Sequence, residues 1–294
     1  MLNAITIDVE DYFHVTAFEQ HVRRDQWDTY PCRVENNTRR ILDMLDEYNI
    51  HGTFFILGWV AERMPLLVKE IHRRGHEIAC HGYGHQLVYQ IDPKTFRKDI
   101  SKTRILLEDM CGEKVNGYRA PSYSITKKSL WALDILVEEG FTYDSSIFPV
   151  IHDIYGIPDA SRFPCTITCG AGTIREFPLT TLPIRFAGRE HRIPIAGGGY
   201  LRLFPLEFIS RGIERINRGE KQPAIVYFHP WEIDPDQPRI EAGFKSRFRH
   251  YLNLQKTEGK VRDLLSEFKF GTINDVFAAN VFGLKQNVGT EFSY

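Results

Sequence analysis

Residues 52–85 read GTFFILGWVAERMPLLVKEIHRRGHEIACHGYGH, and this stretch decides the fold class. GTFFIL at 52–57 is a short apolar run, rich in aromatic and β-branched side chains, that reads as a buried strand. Residues 59–74 follow as a helix with Pro65 near a break, closing at Gly75. HEIAC at 76–80 is a second strand. Strand, helix and strand within about 30 residues make a βαβ unit, and such a crossover joins parallel strands. His81 and His85 fall directly after the second strand, separated by Gly82, Tyr83 and Gly84.

The same alternation extends in both directions. Residues 3–9 (NAITIDV) read as a buried strand, and residues 36–49 as a helix with Ile41, Leu42, Leu45 and Tyr48 on one face and Asn36 or Asn37 as N-cap. Asp92-Pro93 opens a helix to about 111, with Asp92 as N-cap and Ile100, Leu106 and Leu107 as core candidates. Strands follow at 115–120, 141–146 and 224–229, and helices at 127–139 and 205–218. Repeated βα units predict a largely parallel sheet or a barrel. The rhythm fails between about 147 and 204, where prolines and Gly197-Gly198-Gly199 suggest an excursion of loops and short strands over the barrel mouth. Residues 235–269 are expected to carry two helices, a last short strand falls near 270–274, and the tail from about 283 is polar and expected to be loose.

Composition narrows the function. A chain of 294 residues with 43% hydrophobic content buries a large core. The formal net charge of −1 argues against nucleic acid or acidic membrane surfaces as the main partner. Five cysteines (Cys32, Cys80, Cys111, Cys165 and Cys169) are an odd set without the pairing of a disulfide framework or zinc knuckle; a Cys165–Cys169 bridge is the minority alternative. The opening MLNAITIDVEDYF has no basic start before a long apolar run, so no signal peptide, no membrane span and a cytoplasmic location are expected.

The ionisable residues gather at strand ends. Asp8, Glu10 and Asp11 end the first strand, His81 and His85 follow the third, Arg119 ends the fourth, Asp144 lies in the fifth and His229 ends a late one. In parallel α/β folds the carboxyl ends of strands converge on one face, where active sites are built. Two imidazoles four residues apart can address one ion if the loop turns tightly, which glycine allows. A carboxylate from the first strand would complete a two-histidine, one-carboxylate site with open positions, suited to zinc and several other divalent ions. Asp8, Glu10 and Asp11 crowd three carboxylates into four residues, which calls for a cation nearby. A buried Arg119 needs an anion, and Asp8 is the expected partner. An isolated pair of histidines is a weak signal, and a lone histidine such as His229 is more often a hydrogen-bonded core residue. Only the clustering favours chemistry.

Taken together these segments resemble the polysaccharide deacetylase family, the NodB-homology group of carbohydrate esterases. The likeness runs in motif order over residues 3–232: TIDVED for the acidic strand end, HGYGH for the histidine pair, Arg119-Ala120-Pro121 for Arg-x-Pro, Asp144-Ser145-Ser146 for the Asp-led groove segment and Phe228-His229 for the closing histidine. The resemblance implies a distorted (β/α) barrel with an inserted loop and short-strand region and a helical C-terminal extension over about 235–282, in one deacetylase domain spanning 1–294. Many members carry adjacent aspartates in the first motif. Here the run is Asp-Val-Glu-Asp, similar to a subgroup with Asp-x-Asp or Asp-x-Glu spacing. By that match Asp8 is the base and Glu10 the metal ligand, with Asp11 as the alternative carboxylate. The histidine motif also has glycine where many members have serine or threonine. DVEDYFHV, GYRAPSYSI, YDSSIFP, REFPLTT, AGGGYLRL and FHPWEIDP are similar to a narrower group encoded beside bacterial exopolysaccharide genes.

The resemblance implies a metal-dependent hydrolase that removes N-acetyl groups from N-acetylhexosamine units of an exopolysaccharide or its lipid-linked precursor. A divalent ion, zinc being expected, would sit on Glu10, His81 and His85; Asp8, oriented by Arg119, would take a proton from water; a backbone N–H near Tyr123 would face the oxyanion. His229 would protonate the leaving amine, with Asp144 holding it charged. Tyr12, Phe13, Tyr123, Tyr200 and Trp231 are candidates for the sugar groove, Arg202 for a lipid-carrier phosphate, and Gly197-Gly198-Gly199 for an anion nest or, equally, a lid turn. The implied partner is an N-acetylated glycan or lipid-linked saccharide, with no nucleic acid and with homo-oligomerisation left open. The rival readings are a cyclic amide or ureide hydrolase of the same fold, a catalytically silent carbohydrate-binding protein and a scaffold in polysaccharide assembly. Retention of the Asp, His, His, Arg and His positions favours the metal deacetylase.

Overall fold

The computed structural model describes residues 1–186, 189–195 and 197–278, so the tail from about 283 and the last few residues of the expected extension lie outside the described residues. The first half alternates as the sequence predicts: β1 (Leu2–Val9), α1 (Val34–Glu47), β2 (Thr53–Ile56), α2 (Gly58–Arg63), α3 (Pro65–Arg73), β3 (Glu77–Cys80), α4 (Pro93–Cys111), β4 (Gly117–Tyr118), α5 (Trp131–Glu138) and β5 (Tyr143–Asp144). Pro65 starts α3 where its missing N–H costs nothing. Asp92 caps α4 by accepting from the amides of Lys94 and Thr95, and Gly112 ends it in the left-handed region.

The second half departs from the expected loop. It holds the antiparallel hairpins β6 (Cys165–Cys169)/β7 (Gly172–Glu176) and β8 (Thr181–Phe186)/β9 (Arg189–Pro194), then α6 (Gly198–Leu203), α7 (Leu206–Glu214), β10 (Ile225–Phe228), α8 (Phe244–Tyr251), α9 (Leu254–Glu267), β11 (Lys269–Gly271) and α10 (Ile273–Ala278). Pro183 and Pro194 inside the second hairpin hid it, because proline reads as a strand breaker. The helix expected over 205–218 becomes a wider π-turn from Arg215, and α10 was not foreseen. All five cysteines are free thiols.

The main sheet runs β10-β1-β2-β3-β4-β5-β7-β6, with β11 also pairing β1. Within this sheet every pairing except β6/β7 is parallel. Among the described residues no strand pairing joins β6 or β7 to β10. Thr180, just past β7, spans that gap: its hydroxyl donates to the Ile225 carbonyl at 3.0 Å and accepts from the Ile225 amide at 2.6 Å. Gly197 bridges Tyr227 in β10 so closely that a Cβ would lie 1.8 Å from the Tyr227 carbonyl oxygen. The glycine run therefore serves a close backbone approach.

Strand alternation divides the interior. Ile5, Ile7 and Val9 join the helix-side core, whereas Ala4 packs inside with Phe55, Ala79, Tyr123, Tyr143 and Tyr227. Period two therefore carries Thr6 and Asp8 to the inner face. Asp11, the alternative metal carboxylate, turns away from it. Its Oδ2 accepts from the amides of Arg33 (2.6 Å) and Val34 (2.8 Å) and the Cys32 thiol, and its Oδ1 accepts from the Tyr12 amide. Asp11 thus caps α1 from outside the helix, where Asn36 or Asn37 was expected, and Asn37 instead donates to Asp234.

Two stability outcomes follow. Asp11→Ala strands buried amides at the start of α1 and is expected to lower unfolding stability by about 2–3 kcal/mol, measured by urea denaturation, while metal content stays that of the parent. Asp144 and Glu176 are register partners on β5 and β7, and both are buried. Burial and the Asp144 charge push Glu176 well above the carboxylate range. A raised folded pKa stabilises below the unfolded value and is lost as pH rises through the folded value. The melting temperature should fall from mildly acidic to alkaline pH, and Glu176→Gln should flatten that slope.

Candidate active site

The HGYGH loop is set by α4. Asp99 accepts from the amides of Tyr83 (2.6 Å) and Gly84 (3.3 Å), and Gly82 takes φ 70°. A Cβ at Gly82 would lie 2.7 Å from Asp99 Oδ2. The turn brings His81 and His85, itself at φ 48°, onto one point. His81 Nδ1–H donates to the Arg119 carbonyl at 2.8 Å, leaving Nε2 as the lone-pair nitrogen. One donor atom each from Glu10, His81 and His85 lie within 4.8 Å of one another, all three residues buried. Glu10 Oε2 is 2.7 Å from His85 Nε2, yet no hydrogen bond of ordinary geometry satisfies this buried oxygen. Burial pushes the Glu10 carboxyl up, but His85, His229 and His81 outweigh it and hold it well below the carboxylate range. Two neutral-capable imidazoles facing an unsatisfied carboxylate fit a divalent cation.

Arg119 is fully buried and meets Asp8 as expected, Nη1 to Oδ1 at 2.6 Å. The rest of its fork is also engaged: Nη1 donates to the Thr6 hydroxyl, Nε to the Ser145 carbonyl and Nη2 to the Ser145 hydroxyl. The Tyr123 hydroxyl donates to Asp8 Oδ2 at 3.3 Å. Ser122 and Tyr123 both adopt left-handed backbone, φ 49° and 54°, which side chains rarely take without compensation. The Tyr123 amide already donates to the Ala120 carbonyl at 3.0 Å, so it is not a free oxyanion donor.

The expected Asp144–His229 pair does not form. Asp144 binds the hydroxyl and amide of Ser146, and Ser146 in turn accepts the Ala120 amide at 2.7 Å. The partner of His229 is Glu232, three residues on: Nδ1–H donates to Oε2 at 2.8 Å. Glu232 was missed, although a short His-x-x-Glu turn was legible in FHPWE. His229 Nε2 lies 3.5 Å from Glu10 Oε1 and 3.9 Å from Asp8 Oδ2. Burial works against its charge, but Glu232, Glu10 and Asp8 prevail and lift His229 to about 9.

Arg202 is also reassigned. It is buried, donates from Nε to Glu232 Oε1 at 2.6 Å and from Nη1 to the carbonyls of Arg249 and His250 at the end of α8. A guanidinium so occupied has no fork free for a phosphate. Trp231 is buried rather than lining a groove: its ring lies parallel to those of His229 and His250, and its Nε1–H reaches Glu10 Oε1 at 3.4 Å. Tyr12 and Phe13 are core residues. Tyr200 lines a cavity of about 540 Å³ with Tyr155 and Tyr227. Tyr227 stands 5.1 Å from the Tyr123 ring and 5.7 Å from the His229 ring, so the cavity abuts the site.

Residues 26–141 match the polysaccharide deacetylase family, and residues 145–278 match a domain of unknown function, DUF3473. The chain is 37% identical over 110 residues to a peptidoglycan deacetylase-like protein of Gibberella zeae, covering 37% of this chain and 32% of that protein. It is 36% identical over 98 residues to a peptidoglycan-N-acetylglucosamine deacetylase of Bacillus cereus, covering 33% and 36%. The chain thus spans about a third of these relatives. A crystal structure from Mycobacterium smegmatis, named for the same deacetylase class, shares the fold with a TM-score of 0.61 at 21% identity, over 95% of this chain and 88% of that one. His81, His85 and Arg119 fall inside the first match, so residues 26–141 carry the likeness to the polysaccharide deacetylase family.

Proposed function

We propose that this chain is a divalent-metal-dependent deacetylase acting on N-acetylhexosamine units of an exopolysaccharide or its lipid-linked precursor. The observation that carries the reading is the buried Glu10, His81 and His85 cluster with its unsatisfied carboxylate oxygen, beside an arginine-held aspartate and a glutamate-held histidine. When bound there, a divalent ion supplies Lewis acidity to the amide carbonyl and the attacking water. Asp8 accepts the water proton; Arg119 and Tyr123 fix its two oxygens and keep its lone pairs aimed inward. The water oxygen joins the acetyl carbon and the C–N bond breaks. His229 gives its Nε2 proton to the departing amine, leaving acetate and a free amino sugar. Glu232 sets the imidazole tautomer through Nδ1, and Arg202 holds Glu232 ionised. The aromatic cavity wall of Tyr155, Tyr200 and Tyr227 suits sugar C–H faces. The name of the Bacillus cereus relative points to N-acetylglucosamine, and the likeness to deacetylases encoded beside exopolysaccharide genes supports the polymer class.

The direct test is acetate release from N-acetylglucosamine oligomers, with metal analysis before and after chelation. Activity should vanish on chelation and return on adding zinc or another divalent ion. The His81→Ala/His85→Ala variant should lose both bound metal and acetate release. Metal-independent turnover, or full activity in that variant, would overturn the scheme. Glu232→Gln is expected to lower kcat by about 10- to 100-fold at unchanged metal content, read from steady-state kinetics beside elemental analysis. A variant as fast as the parent would remove Glu232 from the mechanism.

A further inference from the structure

We propose that the rim formed by α8, the end of α6 and the 151–155 loop docks on an anionic membrane surface. Four of the large apolar side chains left in solvent belong to this rim: Ile151 at 87% exposure, Phe244 at 85%, Phe248 at 54% and Leu203 at 52%. Phe244 and Phe248 are one helical turn apart on α8, with rings stacked at 6.2 Å. Lys245, Arg247 and Arg249 are exposed on the same helix, and Arg239 is exposed beside it over the Tyr251 ring. Elsewhere Arg63, Arg74, Arg97 and Arg262 pair with carboxylates. Among the described residues, Arg239, Lys245, Arg247 and Arg249 make no ion pair. Residues 239–251 carry those four cations against one acid, Glu241, and Asp153 is the acid of the facing loop. The whole-chain charge of −1 averages this patch away, which is why composition alone pointed away from acidic membranes.

Aromatic rings set among unpaired lysines and arginines are the makings of an interfacial helix: the rings enter the headgroup zone and the cations meet lipid phosphates. A soluble acidic glycan would use the cations but leave Ile151 and Leu203 in water. A second copy would bring the same cations face to face. The rim also frames the cavity that runs inward past Tyr155 and Tyr200 to Tyr227. Docking would turn this mouth toward the bilayer, where a lipid-linked glycan is held. That consequence rests on the deacetylase reading, whereas the docking does not.

Vesicle flotation of the full chain tests it without any substrate, so failure here is separate from failure of the deacetylase reading. The protein should float with vesicles containing phosphatidylglycerol and not with phosphatidylcholine alone, and high salt should weaken the binding. Phe244→Ser/Phe248→Ser and Lys245→Glu/Arg249→Glu should each reduce partitioning by about tenfold or more, with unchanged melting and metal content. Absence of flotation on anionic vesicles would overturn the proposal. So would parent-like flotation of both double variants, retention on an acidic polysaccharide matrix where vesicles fail to bind, or self-association that the phenylalanine variants abolish.

Discussion

The buried pair between Asp8 and Arg119 constrains everything around it. Taking two charges out of water costs several kcal/mol each, and mutual attraction repays this only when the remaining donors and acceptors are satisfied. Here four of the five guanidinium N–H groups are taken, by Asp8, Thr6, the Ser145 hydroxyl and the Ser145 carbonyl, Tyr123 takes the second carboxylate oxygen, and the Phe55 ring lies 4.0 Å beneath the charge. Those partners come from β1, β2 and the ends of β4 and β5. The pair therefore fixes the level at which four parallel strands stop. The Arg119 carbonyl then selects the His81 tautomer, so the charge pair and the metal-type cluster share one backbone segment.

A second buried chain faces the first. Arg202 holds Glu232, Glu232 holds His229, and His229 looks back at Glu10 and Asp8. Without a cation, three carboxylates in this space are offset by two guanidiniums and a protonated imidazole. With a divalent cation at Glu10, that carboxylate no longer supports charge on His229. The support then falls to Glu232, which is why its own tie to Arg202 matters. Asp144 is not available for this work, because its two oxygens are committed to the hydroxyl and amide of Ser146.

Much of this was legible in the sequence, for identifiable reasons. The βα units have strong periodicity, and residues at strand ends are placed by topology once the strands are known to be parallel. The choice between Glu10 and Asp11 stayed open in the sequence, because both lie at or past the end of the strand; the structure puts Glu10 beside His85 and turns Asp11 to the start of α1. The partner of His229 was not found because a resemblance pointed to Asp144, whereas the local turn supplied Glu232. Arg202 and Trp231 misled because an arginine or tryptophan near a site looks like a ligand contact until burial is known. The hairpin containing Pro183 and Pro194 could not be found by pattern, since its strands carry exposed charge and proline together.

The division of the chain into a deacetylase match over 26–141 and a segment of unknown function over 145–278 does not follow the site. The first segment contributes His81, His85 and Arg119; the second contributes His229, Glu232 and Arg202; Asp8 and Glu10 lie in neither. The sheet order explains why. β1 sits between β2, from the first segment, and β10, from the second, and pairs in register with both. A carboxylate strand in that position meets His85 on one side and His229 on the other. The segment of unknown function is therefore best understood through β10 and the turn after it, which place His229 and Glu232 beside Asp8 and Glu10, and through α8, whose last carbonyls anchor the arginine that holds Glu232. The boundary at about residue 145 marks where sequence likeness changes, while the hydrogen bonds run straight across it.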